Sequence, residues 1–143
     1  MQQQSEQVNI KLQTSIYDVD SGEQETQEQT FTGEWMKKGN IDVLKYEETN
    51  EEAGTIQNTV MIRPERVSIK RTGAIRMNQQ FQLGQKTENI YQHMHGNMHM
   101  ETYSESITFQ EDTMPRVLNI KYTMVINGQM ERKHQLKLQF STK

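Results

Sequence analysis

The feature that most constrains this chain is a period of two in its apolar residues. Val8, Ile10, Leu12 and Ile16 alternate with Asn9, Lys11, Gln13 and Ser15. Ile56, Val60 and Ile62 alternate with Thr55, Gln57, Thr59 and Met61, and Leu118, Ile120, Tyr122, Met124 and Ile126 repeat the pattern. Val67, Ile69, Ile75, Met77, Phe81 and Leu83 share odd numbers, and Met130, Leu136, Leu138 and Phe140 share even ones. Alternation of this kind makes an antiparallel strand with one face on a core and one in water. No longer segment keeps a clean helical period. The polar stretch Gln24–Gln29 lacks an apolar stripe and reads as the exposed start of a strand.

Turn signals separate these runs: Ser21-Gly22, Lys38-Gly39, Ala53-Gly54, Arg63-Pro64, Leu83-Gly84, Gly96-Asn97, Met114-Pro115 and Asn127-Gly128. Strands between turns at such intervals mark an all-β meander of about eight to ten strands. Every strand carries a polar face, and no helix is at hand to cover one. The sheet must then close on itself or pair with a second sheet. Long strands in simple succession favour a single closed antiparallel up-and-down barrel; a Greek-key sandwich is the other solution. One domain over residues 7–143 suits the length, with residues 1–6 as a disordered N-terminal tail.

Composition fits a lone barrel. Leu, Ile, Val and Phe make up 28 of 143 residues, about 20 %, a level at which disorder becomes a concern. Disorder also wants a large net charge, whereas 16 basic against 19 acidic residues leave −3. A barrel needs apolar residues only at every second strand position. Absence of Cys excludes disulfides and thiolate chemistry. No apolar run approaches the ~20 residues of a membrane helix. The N-terminus has no secretory pattern, so a soluble intracellular protein is expected. Scattered Lys and Arg argue against a nucleic-acid surface.

Register follows from the turns. A four-residue loop at Arg63–Arg66 pairs Ile62 with Val67 and Val60 with Ile69, and sets Asn58 beside Arg71. Around Asn127-Gly128 both flanks are apolar at even positions, so a three-residue loop with a left-handed Gly128 is expected. A two-residue turn at Gly96-Asn97 pairs His95 with Met98 and His93 with Met100, and puts Tyr91, Met98, Met100 and Thr102 on one face. A three-residue loop there brings His99 opposite His95 instead.

The segment Ile69-Lys-Arg-Thr-Gly-Ala-Ile-Arg-Met-Asn-Gln-Gln-Phe81, with Phe31-Thr-Gly33 and the Tyr91–Thr102 hairpin, resembles the YwiB-like family. This is a domain of unknown function from Gram-positive bacteria, and the similarity runs from about Val8 to Phe140. It implies a calycin-type, lipocalin-like barrel in the cytoplasm, with no catalytic residues to carry over. Gly33-Glu34-Trp35 also echoes the Gly-x-Trp of lipocalins.

Four groups of residues bear on function. His93, His95 and His99 meet at a metal only in one register, and no metal or other cofactor is expected. Arg71 on an apolar face requires a partner. It is either a structural group bonded to Asn58, a backbone carbonyl or a carboxylate, or an anchor for an anionic head group. The methionines, among them Met77, Met94, Met98, Met100, Met124 and Met130, suit an adaptable pocket or fill an irregular core. The acidic pairs Glu47-Glu48, Glu51-Glu52 and Glu111-Asp112 read as solvated loops. No Gly-rich phosphate loop or Ser-His-Asp arrangement is present, and an enzyme is the least favoured reading. The leading expectation is a small apolar or anionic amphipathic ligand inside the barrel, lined by Arg71, Asn58, Phe81, Tyr91, Met98 and Met100. The alternative is a filled barrel acting through its surface as an interaction or regulatory module, with a homodimer as one form.

Overall fold

The computed structural model describes residues 5–143 apart from Val19, Ala53 and Met94; for Asn50, His93 and Met130 only the backbone is described. Ten antiparallel strands follow one another: β1 (Glu6–Tyr17), β2 (Gln24–Lys38), β3 (Ile41–Asn50), β4 (Gly54–Arg63), β5 (Arg66–Gly73), β6 (Met77–Gln82), β7 (Lys86–His93), β8 (Gly96–Gln110), β9 (Arg116–Ile126) and β10 (Gln129–Thr142). Their spatial order is β6-β5-β4-β3-β2-β1-β10-β9-β8-β7. Strands consecutive in sequence pair with one another, apart from β6 and β7 at the two ends of this order, and β1 also pairs with β10, the up-and-down arrangement that the alternation predicts. Among the described residues there is no helix, hence none long and apolar enough to cross a membrane. The expected tail at 1–6 falls mostly outside the described residues; Glu6 already pairs with Trp35 in β1 and β2.

Inner-facing side chains form the core. Val8, Ile10, Leu44, Val60, Ile62, Val67, Phe81, Leu118, Ile120, Leu138 and Phe140 are all sealed from solvent. At that end of the barrel the Trp35 indole N–H donates to the buried Asp42 carboxylate at 2.9 Å. The Arg116 guanidinium lies 4.5 Å over the Trp35 ring. The Gly33-Glu34-Trp35 motif has its own packing reason. A Cβ on Gly33 would strike the Lys45 carbonyl, the Ile10 methyl and the Tyr46 Cβ, where β1, β2 and β3 come together.

The turns hold the predicted parities by partly different means. Ile62–Val67, Val60–Ile69 and Asn58–Arg71 pair as expected, the loop tightening around Pro64 and a Glu65 with φ of 62°. At 127–128 the turn has two residues, not three. Asn127 and Gly128 both take positive φ, the type I′ geometry that suits hairpin twist. A register shift between Gln129 and Glu131 then restores even-to-even pairing. In the β7–β8 hairpin Gly96 and Asn97 are already part of β8, so that His93 pairs with Gly96 and Tyr91 with Met98. Each residue of β7 thus meets a partner four positions away from the one the two-residue turn predicts. Parity therefore survives, and Tyr91, Met98, Met100 and Thr102 still share a face.

The barrel is nearly closed. Where β6 meets β7 there is no continuous ladder, only an Arg76–Gln92 bridge at one end, while at the other Leu83 bridges in parallel to Ser104 of β8. Leu83 N–H donates to Glu65, so the odd residues of β6 bond to β5 and the even ones aim at β7. Side chains fill the gap. Thr87 Oγ1 donates to the Gln80 carbonyl at 2.6 Å, and Asn89 Oδ1 accepts the Asn78 N–H at 3.4 Å. Inside, buried Gln79 donates to Thr102 of β8 at 3.2 Å.

Candidate functional site

Three adjacent strands bring three polar side chains together on the inner wall. Tyr46 is opposite Asn58, and Asn58 is opposite Arg71, so inward positions of β3, β4 and β5 line up. Arg71 Nη2 meets Glu48 Oε1 at 2.6 Å, and Arg71 Nε donates to Asn58 Oδ1 at 3.1 Å. Asn58 Nδ2 closes the triangle on Glu48 Oε1 at 3.0 Å. Asn58 is buried, while the Arg71 and Glu48 side chains keep 24 % and 21 % exposure. Beside them lies Tyr46, its ring 4.6 Å from that of Phe31. Burial pushes the Tyr46 phenol up to about 12; Glu48 adds to the shift and Arg71 opposes it.

Arg71 thus has the carboxylate and amide partners of a structural group, and its charge is neutralised. Glu48 was grouped with the solvated acids of the 47–52 stretch, whereas it belongs to β3 and shares its inward parity with Leu44 and Tyr46. That parity was the available signal; the neighbouring glutamates obscured it.

The four apolar candidates divide. Phe81 is fully buried with its ring 4.9 Å from that of Tyr122, so it belongs to the sealed core. Met100 is buried opposite Asn89. Tyr91 and Met98 pair across β7 and β8 and stay half-buried. Met77 is opposite Arg71 across β5 and β6, and the Arg76–Gln92 bridge puts it in register with Tyr91. Arg71, Met77, Tyr91 and Met98 therefore follow one another around the wall. Leu12, Phe31, Met124 and Ile126 extend this half-buried surface around the same end of the barrel.

Outside the wall, a groove of about 900 Å³ follows the β6–β7 seam. Lys70, Asn78, Glu88, Ile90 and Gln92 line it from the outer face. It reaches Arg71, Met77 and Asn89, which belong to the inner face. The seam is thus the place where the two faces of the wall approach one another. His95 and His99 take no part in the inner wall. His99 pairs with Ile90 on the outer face, its Nε2 3.9 Å from Glu88. Among the described residues no three His, Asp or Glu side chains gather as metal ligands. Met94 lies outside the described residues, as do the side chains of His93 and Met130.

A family model for a domain of unknown function, DUF1934, matches residues 10–138. The chain is 28 % identical over 131 residues to a protein of Bacillus subtilis strain 168 described as uncharacterized beta-barrel protein YwiB, covering 92 % of each. Its fold is similar to the crystal structure of that species' ywiB protein, with a TM-score of 0.86 at 25 % identity. The alignment covers 99 % of this chain and 95 % of the other.

Proposed function

This chain belongs to the DUF1934 family, and from the inner wall of its barrel we propose that it binds a small amphipathic molecule in the open half. One observation carries the reading: burial along the inner face is asymmetric. Toward the Trp35 end Val8, Ile62, Leu118 and Phe140 are sealed at 0–2 % exposure, whereas toward the Arg71 end inward Met77, Tyr91, Met98, Met124 and Ile126 stay half-buried beside buried Asn58 and Met100. Half-exposed inward residues such as Met77, Tyr91, Met98 and Met124 offer a flexible, polarizable apolar surface beside one polar cluster. The apolar part of the ligand lies along the methionines. An uncharged polar group on the ligand, such as a hydroxyl, reaches Arg71, Asn58 and Glu48, which together present both donors and acceptors.

The methionines supply the test. In a protein labelled with carbon-13 at its methionine methyls, titration with decanol shifts Met77, Met98 and Met124. It leaves Met36 and Met61, on the outer face, unmoved. Shifts confined to the outer methionines, or none, overturn the reading. Native mass spectrometry of protein from two expression hosts then shows whether a ligand of this class travels with it.

A second reading, surface recognition or a homodimer, is favoured by outward Ile90 and Tyr103 at 53 % and 43 % exposure on the β7–β8 hairpin. Light scattering that gives a dimer, lost in Ile90→Lys, supports it; a monomer at all concentrations removes the homodimer.

A further inference from the structure

We propose that the groove over the β6–β7 seam is an anion site, seating the oxyanion head group of the same amphipathic ligand. The proposal rests on the reading above for the alkyl part but assigns the head group to different residues. Arg71 is poorly suited to a net anion, because Glu48 already lies on it at 2.6 Å. Lys70 and Arg76 differ. Both line the groove, and among the described residues neither makes an ion pair.

A second observation points the same way. Asn89 spends its Oδ1 on the Asn78 N–H, and its Nδ2 is buried at the groove with no hydrogen-bond partner. A buried donor left unmade costs free energy that an acceptor on a ligand would recover. Two cations without an ion pair among the described residues and one unpartnered amide donor thus belong to the lining of one groove. Glu88, an acid of the groove, is 3.9 Å from His99. A phosphate, sulfate or carboxylate satisfies all three donors, whereas an ammonium satisfies none. The alkyl chain of such a ligand passes between β6 and β7 toward Met77 and Tyr91.

Three probes separate the parts: decyl phosphate below its aggregation threshold, decanol, and inorganic phosphate. Calorimetry on the full chain should show decyl phosphate binding about tenfold or more tightly than decanol, the worth of a charge-assisted contact. The advantage should shrink with added salt. In Lys70→Gln/Arg76→Gln the advantage should vanish while decanol affinity stays unchanged; both side chains are outward, so folding is spared. Equal affinities, or an advantage the double variant leaves intact, overturn the anion site and leave the interior reading standing. Should decanol and decyl phosphate both fail to bind, the interior reading falls. Inorganic phosphate then decides for the site alone. A shift of the Asn89 side-chain amide signals upholds it, and no shift removes it.

Discussion

Glu48 and Arg71 illustrate how one residue conditions another. A half-buried guanidinium without a counter-charge is costly, and removing one member of a buried pair costs more than the pair is worth. Glu48→Gln should therefore lower the unfolding free energy by about 1–3 kcal/mol, less than a fully buried pair because both side chains touch solvent. Glu48→Leu combined with Arg71→Met should recover most of it, as urea denaturation will register; a double variant no better than the single removes the pair as the cause. His134 makes a pH-dependent contribution. It stacks on the Tyr122 ring at 5.0 Å, and burial, helped by Arg132, lowers its pKa from 6.5 to about 4. The fold holds it neutral while the unfolded chain takes up a proton below about 6.5. Stability from this group is thus fully present above pH 6.5, falls as pH drops through the window, and is lost by about pH 4. The loss is on the order of 2 kcal/mol after discounting for its partial exposure. His134→Phe keeps the stack and should flatten that part of the profile relative to the parent. A parallel pair of profiles would show that carboxylates alone govern it.

Strand by strand, the chain was legible wherever parity decided. The period of two located β1, β4, β5, β6, β9 and β10, and the Arg63–Arg66 loop set Asn58 beside Arg71 from turn length alone. The turn at Asn127-Gly128 stands where expected, but it reaches its even-to-even register through a bulge rather than a third loop residue. The β7–β8 register was less legible: its pairings differ from the expected ones by four positions, which preserves parity, because an apolar pattern constrains which face a residue takes and not how far a hairpin slides by twos. The partner of Arg71 was missed for a related reason. A glutamate's inward position shows only in its register with Leu44 and Tyr46, not in its own chemistry. Gly33 was noticed as part of a motif, and its physical role lies in packing between strands. Alanine there places a Cβ against the Lys45 carbonyl, backbone that cannot swing aside. Gly33→Ala should cost about 1–3 kcal/mol. Thermal unfolding will show whether it does; a melting temperature equal to the parent would mean that β2 and β3 can separate without loss.

At the scale of the whole molecule, a barrel has no edges only if it closes, and this one closes unevenly. β1 is flanked on both sides by long ladders, to β2 and to β10. β6 has six residues and a ladder to β5, but toward β7 only one bridge beside its start and side-chain bonds, with a bridge from Leu83 to β8 beyond its end. Nothing in the alternation of β6 reveals this, since its apolar residues keep the same period as those of β5 and β4. The asymmetry predicts where the molecule opens. Amides of Gln79 and Phe81 are hydrogen-bonded to β5, yet they should exchange through a local opening that costs roughly 3 kcal/mol or less. Amides of Ile10, Leu12 and Leu138 should need nearly global unfolding. The absence of Cys lets a control be built without interference. Continuing the Arg76–Gln92 register sets Gln80 opposite Glu88, so Gln80→Cys with Glu88→Cys can bridge the seam. Oxidation should slow exchange of Gln79 and Phe81 and leave β1 unchanged. It should also slow uptake of decanol if the ligand enters between β6 and β7. Exchange that is uniform around the barrel before oxidation would mean that the side-chain bonds of Thr87, Asn89 and Gln79 close the wall as firmly as a ladder, and the open half would then be reached only through its mouth.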